Sequence, residues 1–364
     1  MVDVAPFRAV RYRTHDLADL TAPPYDAIDA DLARALRDRN PHNVVRLELG
    51  EAVADDRAGA DRYSRAADLY RRWEADGVLA RDAEPGVDVY EQRFDGRMQR
   101  GLLVAVGLVA WGAGSGILPH EHVFRGPIED RLRLLRALPV NLSPIYLLGR
   151  GEPSPVAGML DDVTAGEPAV SFTDREEGVD HRLWRVTDPS ALEAVSAAYA
   201  DETLLVADGH HRYTTALEHR ESSQAPDAGR ILAYVAAPGP AGDGPIVRPM
   251  HRVLPVLPGE PLGVLCDAGA TVEALGADAA EPDEADRLLD RLDEVPEPAF
   301  VLSTPDGVWV VAWPDVAAGA ALVPDDVHPA VRELEMSVVD AAIARLLGSG
   351  DTPADPRPLP THVA

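Results

Sequence analysis

Residues 203–213 read Thr203-Leu204-Leu205-Val206-Ala207-Asp208-Gly209-His210-His211-Arg212-Tyr213, an apolar β-type run that stops at Asp208-Gly209 and opens a histidine-rich helical stretch. A strand that feeds a helix through glycine leaves backbone N–H groups at the positive end of that helix, where an anion is favoured. Phosphate is the natural candidate. Gly209 lets the backbone approach a ligand closely, Arg212 can grip two oxygens at once, and Asp208 can hold a metal ion or take a proton. The plain alternative is a strand-to-helix turn with surface histidines, but Asp, Gly, two His and Arg in succession favour the site.

A second group follows Pro119: His120-Glu121-His122, then Gly126-Pro127 and a helix carrying Asp130, Arg131 and Arg133. Glu121 is the best-placed carboxylate for a general base, because the flanking His120 and His122 can tune and orient it. The spacing is not His-Glu-x-x-His, so the helical zinc-protease arrangement does not apply. A zinc site shared with His210 or His211 stays open as an alternative.

These residues need a frame to hold them. From residue 58 to 76, Tyr63, Ala66, Ala67, Leu69, Tyr70 and Trp73 recur at helical spacing, and Gly77 supplies a stop. Residues 87–94, the turn Asp95-Gly96 and residues 102–109 form a hairpin pattern. Residues 127–138 read as a helix with Pro127 in first position, ended by Pro139. Residues 231–237 and 245–254 are expected as strands, 255–298 as an acidic and mostly helical segment, 300–313 as a hairpin around Asp306-Gly307, and 333–347 as a helix. Without a regular βαβ alternation, the fold class expected is α+β, with a mixed, mainly antiparallel sheet and packed helices. The expected division is 1–260 for the core with both clusters, 261–347 for a smaller α+β part, and a disordered Pro/Gly/Asp-rich tail at 348–364.

The 364 residues carry 34 basic and 61 acidic side chains, a formal net charge of −27 that opposes general attraction to nucleic acid or an anionic membrane. Any phosphate must therefore be gripped locally. Every basic residue is arginine, a bias that a GC-rich genome also produces. The single cysteine, Cys266, forms no intrachain disulfide and is expected as a buried small hydrophobe. With neither a secretory signal nor an apolar stretch of spanning length, a cytoplasmic location is expected.

Several segments together carry a resemblance: Ala22-Pro23-Pro24-Tyr25-Asp26, Asn40-Pro41-His42-Asn43-Val44-Val45-Arg46-Leu47-Glu48, Pro119-His120-Glu121, Glu129-Asp130-Arg131-Leu132-Arg133, Asn141-Leu142-Ser143-Pro144-Ile145 and Asp208-Gly209-His210-His211-Arg212. Over about residues 5–260 the chain resembles the prokaryotic domain-of-unknown-function family 1015. Its Asp-Gly-His-His-Arg segment is similar to the phosphate-contacting motif of the ParB/sulfiredoxin superfamily, which includes kinases of free serine. The resemblance implies a ParB/sulfiredoxin-like region around that motif and a nucleotide-dependent phosphotransferase, with ATP or ADP, Mg²⁺ and free L-serine or a similar small alcohol. On that reading Gly209, His210, His211 and Arg212 cradle the phosphates, Arg131 neutralises charge, Asp208 binds Mg²⁺ or assists directly, and Glu121 takes the hydroxyl proton. Two departures are plain: His210 stands where sulfiredoxin has its catalytic cysteine, and the Met-Pro-Pro-Lys-Ser-type ending of related chains is replaced by a Pro/Asp tail.

Tyr25, Asn43, Arg46, Asn141 and Ser143 are candidate substrate contacts, because polar groups in Pro-bounded loops suit ligand-facing turns. Arg248, His251 and Arg252 are weaker candidates on a strand edge. Two other classes stay open: a metal-dependent hydrolase using the His-Glu-His and His-His clusters, and a non-catalytic nucleotide switch.

Overall fold

The structure, a computed structural model, describes residues 2–14, 16–57, 59–112, 115–119, 123, 125–149, 154–223, 225–237, 252–253, 260–276, 288, 291–292, 294–295, 298–325, 332–346 and 357–358. The chain divides into two compact units, Met1–Val247 and Arg248–Ala364.

In the first unit the chain runs through β1 (Val4–Ala5), β2 (Val10–Tyr12), α1 (Ala30–Arg39), α2 (Val45–Glu48), α3 (Arg62–Ala75), β3 (Leu79–Arg81), β4 (Val87–Phe94), β5 (Arg97–Gly107) and β6 (Ile117–Leu118). It continues through α4 (Arg125–Ala137), β7 (Ile145–Gly149), α5 (Ala157–Thr164), β8 (Val170–Thr173), β9 (Asp180–Val186), α6 (Pro189–Tyr199), β10 (Leu204–Asp208), α7 (His210–Ser222) and β11 (Arg230–Ala237).

Nine of these strands form one sheet in the order β6-β10-β7-β11-β5-β4-β9-β8, with β1 lying antiparallel to the end of β5. Only β6 with β10 and β7 with β11 are parallel, so the sheet is mixed and mainly antiparallel, and the α+β class holds. The β4–β5 hairpin closes at Asp95 and Gly96, whose φ angles of 50° and 71° are both positive; that geometry matches strand twist and explains the Asp-Gly pair. One face is apolar: Val89, Val104, Leu147, Ala233 and Val235 are fully buried, and α5, α6 and α7 cover them through Leu160, Val195, Tyr199 and Tyr213.

A second core gathers Tyr63, Ala66, Tyr70 and Trp73 of α3 with Leu47, Leu134 and Leu138. Asp61 and Ser64 close a reciprocal capping box at the α3 N-terminus, and Gly77 at φ 71° follows its end. Helix α4 starts two residues before Pro127, which keeps the proline inside the first turn, where its missing N–H costs nothing.

In the second unit, strand Gly307–Ala312 lies between Thr271–Gly276 and Ala299–Thr304, all antiparallel, and Trp313, Val338, Ala342 and Leu346 build its core. Two expectations are corrected here. Residues 271–276 form a strand within the segment read as helical, because pairing with Thr271↔Ala312 and Val272↔Val311 in register outweighs local propensity. Cys266 is exposed: its neighbour Leu265 takes the fully buried position of helix Pro261–Asp267, and one residue of helical rotation turns the thiol outward. Within 348–364, Arg357–Pro358 pairs antiparallel with Arg252–Val253; the rest of that tail, and most of 245–254, lie outside the described residues. Among the described residues no helix is long and apolar enough to cross a membrane.

Burial raises the phenol pKa of all nine tyrosines, to about 12 for Tyr25, Tyr70 and Tyr199. Unfolded phenols ionise near pH 10, whereas folded ones stay protonated, so this contribution is complete below pH 10 and is lost as the pH climbs through 12. Phenolate absorbance at 295 nm is expected to appear steeply and together with loss of far-ultraviolet circular dichroism. A gradual titration centred on pH 10 in folded protein would contradict this.

Candidate functional site

Strand β10 buries Leu204 and Val206 in the apolar core, and its pairing with β7 then slips. Leu205 faces Leu148 and Val206 faces Leu147, but the next pair is Asp208 with Tyr146, which leaves Ala207 as an extra residue. Cross-strand partners share a sheet face, so the bulge moves Asp208 off the apolar face and onto that of Tyr146. Gly209 follows at φ 95°, and a Cβ there would stand 2.7 Å from Ile145 Cγ2, so both conformation and space demand glycine. Helix α7 starts at the next residue, with no capping side chain from Gly209. Its positive end therefore stands at the end of β10 beside Asp208.

One helical turn on, Arg212 donates to Asp208 Oδ2 and to the Pro144 carbonyl, while its buried Nε–H has no hydrogen-bond partner among the described residues. The Asp208 side chain is 55% exposed and can exchange this partner for a ligand. From a distant part of the sequence, Ala22-Pro23-Pro24 leads into a single 3-10 turn, Tyr25–Ala27. The Tyr25 ring lies against the Arg131 guanidinium, 4.3 Å from ring centroid to Cζ. Its phenol is raised to about 12 by burial and then by Asp26 and Asp208, against the pull of Arg131 and Arg212. Asp26 reaches solvent, yet its packed surroundings and then the charge of Asp208 push its carboxyl above the ordinary range, with Arg212 and His211 opposing. Three remote segments thus bring Tyr25, Asp26, Arg131, Asp208, His211 and Arg212 to the α7 N-terminus.

Arg131, expected near the helix surface as a phosphate contact, is only 6% exposed and saturated by protein groups. It donates to Glu48 Oε1 at 3.1 Å, to the Glu48 carbonyl at 3.2 Å and to Asp130 Oδ2 at 2.8 Å. Ser143 Oγ donates to the same Glu48 carboxylate at 3.1 Å. Burial works against ionisation of Asp130, but Arg131, the Tyr63 hydroxyl and Arg62 outweigh it and hold the carboxyl below its usual range. Arg131 and Ser143 are therefore parts of the framework under Tyr25, and Glu48, which joins them, was not singled out from the sequence. Its signal was a lone carboxylate inside the apolar run from Val44 to Leu49.

Asn43 is corrected from a substrate contact to a loop anchor. Asn43 is fully buried; its amide donates to the Asp19 and Thr21 carbonyls and its carbonyl accepts from Val45 N–H, so no ligand can reach it. Arg46 donates to the Arg37 carbonyl at 2.6 Å in the last turn of α1. Asn141 is exposed in the loop before β7, and His210 is buried at 2% exposure in the first turn of α7. His120, Glu121, His122, Arg248 and His251 lie outside the described residues, and of Arg252 only the backbone is described. Among the described residues no three His, Cys, Asp or Glu side chains form a metal cluster.

The two arginines should separate in a stability experiment. Arg131→Met strands the buried Glu48 carboxylate and is expected to cost about 3–5 kcal/mol in urea unfolding. Arg212→Ala, whose partner is exposed, is expected to cost about 1–2 kcal/mol. Equal losses would remove the distinction between an arginine held by buried partners and one paired with an exposed carboxylate.

Comparison with curated proteins and with solved structures finds no match. A family profile described as a protein of unknown function, DUF1015, matches residues 4–334, which takes in both the sheet unit and most of the second unit. The chain therefore belongs to the DUF1015 family.

Proposed function

We propose that the protein is a nucleotide-dependent small-molecule phosphotransferase that uses ATP or ADP with Mg²⁺ and phosphorylates the hydroxyl of free L-serine or a similar small alcohol in the cytoplasm. The observation that carries this reading is the Arg212–Asp208 ion pair at the uncapped N-terminus of α7, with Asp26 near enough to feel the charge of Asp208. Phosphoryl transfer asks mainly for positioning and for neutralisation of spread negative charge. The α7 N-terminus with Gly209 and His211 would receive phosphate oxygens, and Arg212 would turn its fork from Asp208 to the transferring group.

The donor set fits a hard divalent cation. Burial and then the charge of Asp208 push the Asp26 carboxyl above its usual range, and a cation between the two carboxylates would relieve the second of these. Asp26 and Asp208 would hold Mg²⁺, which supplies charge neutralisation at the phosphates when bound. Tyr25 on its Arg131 support keeps the 3-10 turn, and with it Asp26, in place. Glu121 is assigned as the proton acceptor on the residue pattern alone. The net charge of −27 opposes a nucleic-acid partner and requires any anionic ligand to be held by local positive groups.

Calorimetric titration with ATP, ADP and CTP in the presence of Mg²⁺, followed by phosphorus NMR after L-serine is added, tests the reading. Saturable binding that weakens at least tenfold in Arg212→Ala, with a phosphoserine resonance lost in Glu121→Gln, is expected. Absence of nucleotide binding would overturn it, and binding without transfer would shift it to a nucleotide switch.

A further inference from the structure

In a chain with 61 acidic and 34 basic side chains, an arginine without an acidic partner is out of the ordinary, and two of them line one hollow. This hollow of about 630 Å³ is open to solvent and lies between the loop before α3, the first turn of α3 and the outer side of α4. Arg57, Arg62 and Arg133 line it together with Asp56 and Asp61.

The loop that carries Arg57 has a defined shape. Ala60 N–H donates to the Arg57 carbonyl at 2.9 Å, Val53 N–H donates to Asp56 Oδ2 at 3.2 Å, and Gly59 turns the chain at φ 78°. Both acids of the hollow are engaged elsewhere. Asp56 accepts from Arg65 Nη1 at 2.6 Å and from Nη2 at 3.3 Å, while Asp61 caps α3 by accepting from Tyr63 N–H at 3.1 Å and Ser64 N–H at 3.0 Å. Arg62 is fixed from one side only: its Nη2 donates to Asp130 Oδ1 and to the Tyr63 hydroxyl at 3.0 Å, which leaves the rest of its fork for a ligand. Arg57 and Arg133 are exposed, and neither has an ion pair or a side-chain hydrogen bond among the described residues.

We infer that the hollow is a binding site for a small polyanion, one carrying two or more carboxylate or phosphate groups, gripped between Arg57, Arg62 and Arg133. Three like charges held around one space repel each other, and an anion that spans them relieves the repulsion while each guanidinium fork engages oxygens in pairs. The ligand is small because the net charge of −27 repels an extended polyanion beyond this patch. The site is separate from the one at the α7 N-terminus and does not rest on the nucleotide reading. Arg133 stands two residues past Arg131, about 200° around α4, and so faces away from the arginine that supports Tyr25.

Calorimetric titration with citrate and with pyrophosphate, at low ionic strength and without divalent metal, tests this site. Wild type is expected to show saturable binding that weakens as sodium chloride is raised, and the tighter of the two anions identifies the preferred group. The double variant Arg57→Gln/Arg133→Gln should weaken it at least tenfold. Because both side chains are exposed and unpaired, that variant should melt at the wild-type temperature. Arg212→Ala should leave this binding unchanged. Saturable binding of neither anion, or binding that the double variant retains in full, would overturn the inference, and so would binding lost in Arg212→Ala alone.

Discussion

A single extra residue in β10 sets the geometry on which the rest of the site depends. In an unbroken strand Val206 and Asp208 would point to the same face, and a carboxylate would be driven into the core with Leu147 and Val235. The shift at Ala207 lets the strand bury its valine and still present Asp208 to solvent. Gly209 then turns the chain into α7 in a conformation that no other residue adopts cheaply, tight against Ile145. Carboxylate, glycine turn and helix N-terminus thus come from one local device.

The facing wall is held by a different kind of interaction. Arg131 ties Glu48 to Asp130 and supports Tyr25, so an ion network with little exposure links the start of the chain, the end of α2 and the middle of α4. Such a network adds little net stability over an apolar packing, because desolvation offsets most of the attraction. Its directional hydrogen bonds instead specify where the 3-10 turn sits, and this is what brings Asp26 near Asp208. Rigidity beneath an exposed turn is what such a buried ion network supplies.

Local chemistry was legible in the sequence where one short segment carried the whole reason. Asp95-Gly96 announced a hairpin because the turn requires two positive φ angles, and Asp208, Gly209 and Arg212 announced a strand-to-helix junction by their order alone. The turn at Tyr25 was legible through its prolines. What could not be read were roles fixed by a partner far along the chain. Arg131 looked available because its carboxylate lies 83 residues away, and Asn43 looked ligand-facing because its acceptors are the backbone of Asp19 and Thr21. The shared sheet face of Tyr90, Tyr146 and Tyr234 was invisible for the same reason, since only strand register creates it. Residues 271–276 were misread because pairing with a hairpin that follows them, not their own composition, makes them a strand.

The order of the strands has a consequence for how the molecule comes into being. The second residue is already part of the fold, since Val2 is 3% exposed and its N–H donates to the Ala200 carbonyl, and β1 seats on Val106. The central strand β5 meets β11 only after 230 residues have been made. Contacts so far apart in sequence carry a large loop-closure cost and form late. On the ribosome the hydrophobic neighbours of the amino-terminal turn, Ala22 and Ile28, can pack on Ala33, Leu36 and Val45 early, whereas β5 must wait until β11 has emerged. The edge of β5 is exposed to misassociation throughout that interval, and the junction of Asp208 with α7 joins Tyr25 and Asp26 only when synthesis of the first unit is almost complete.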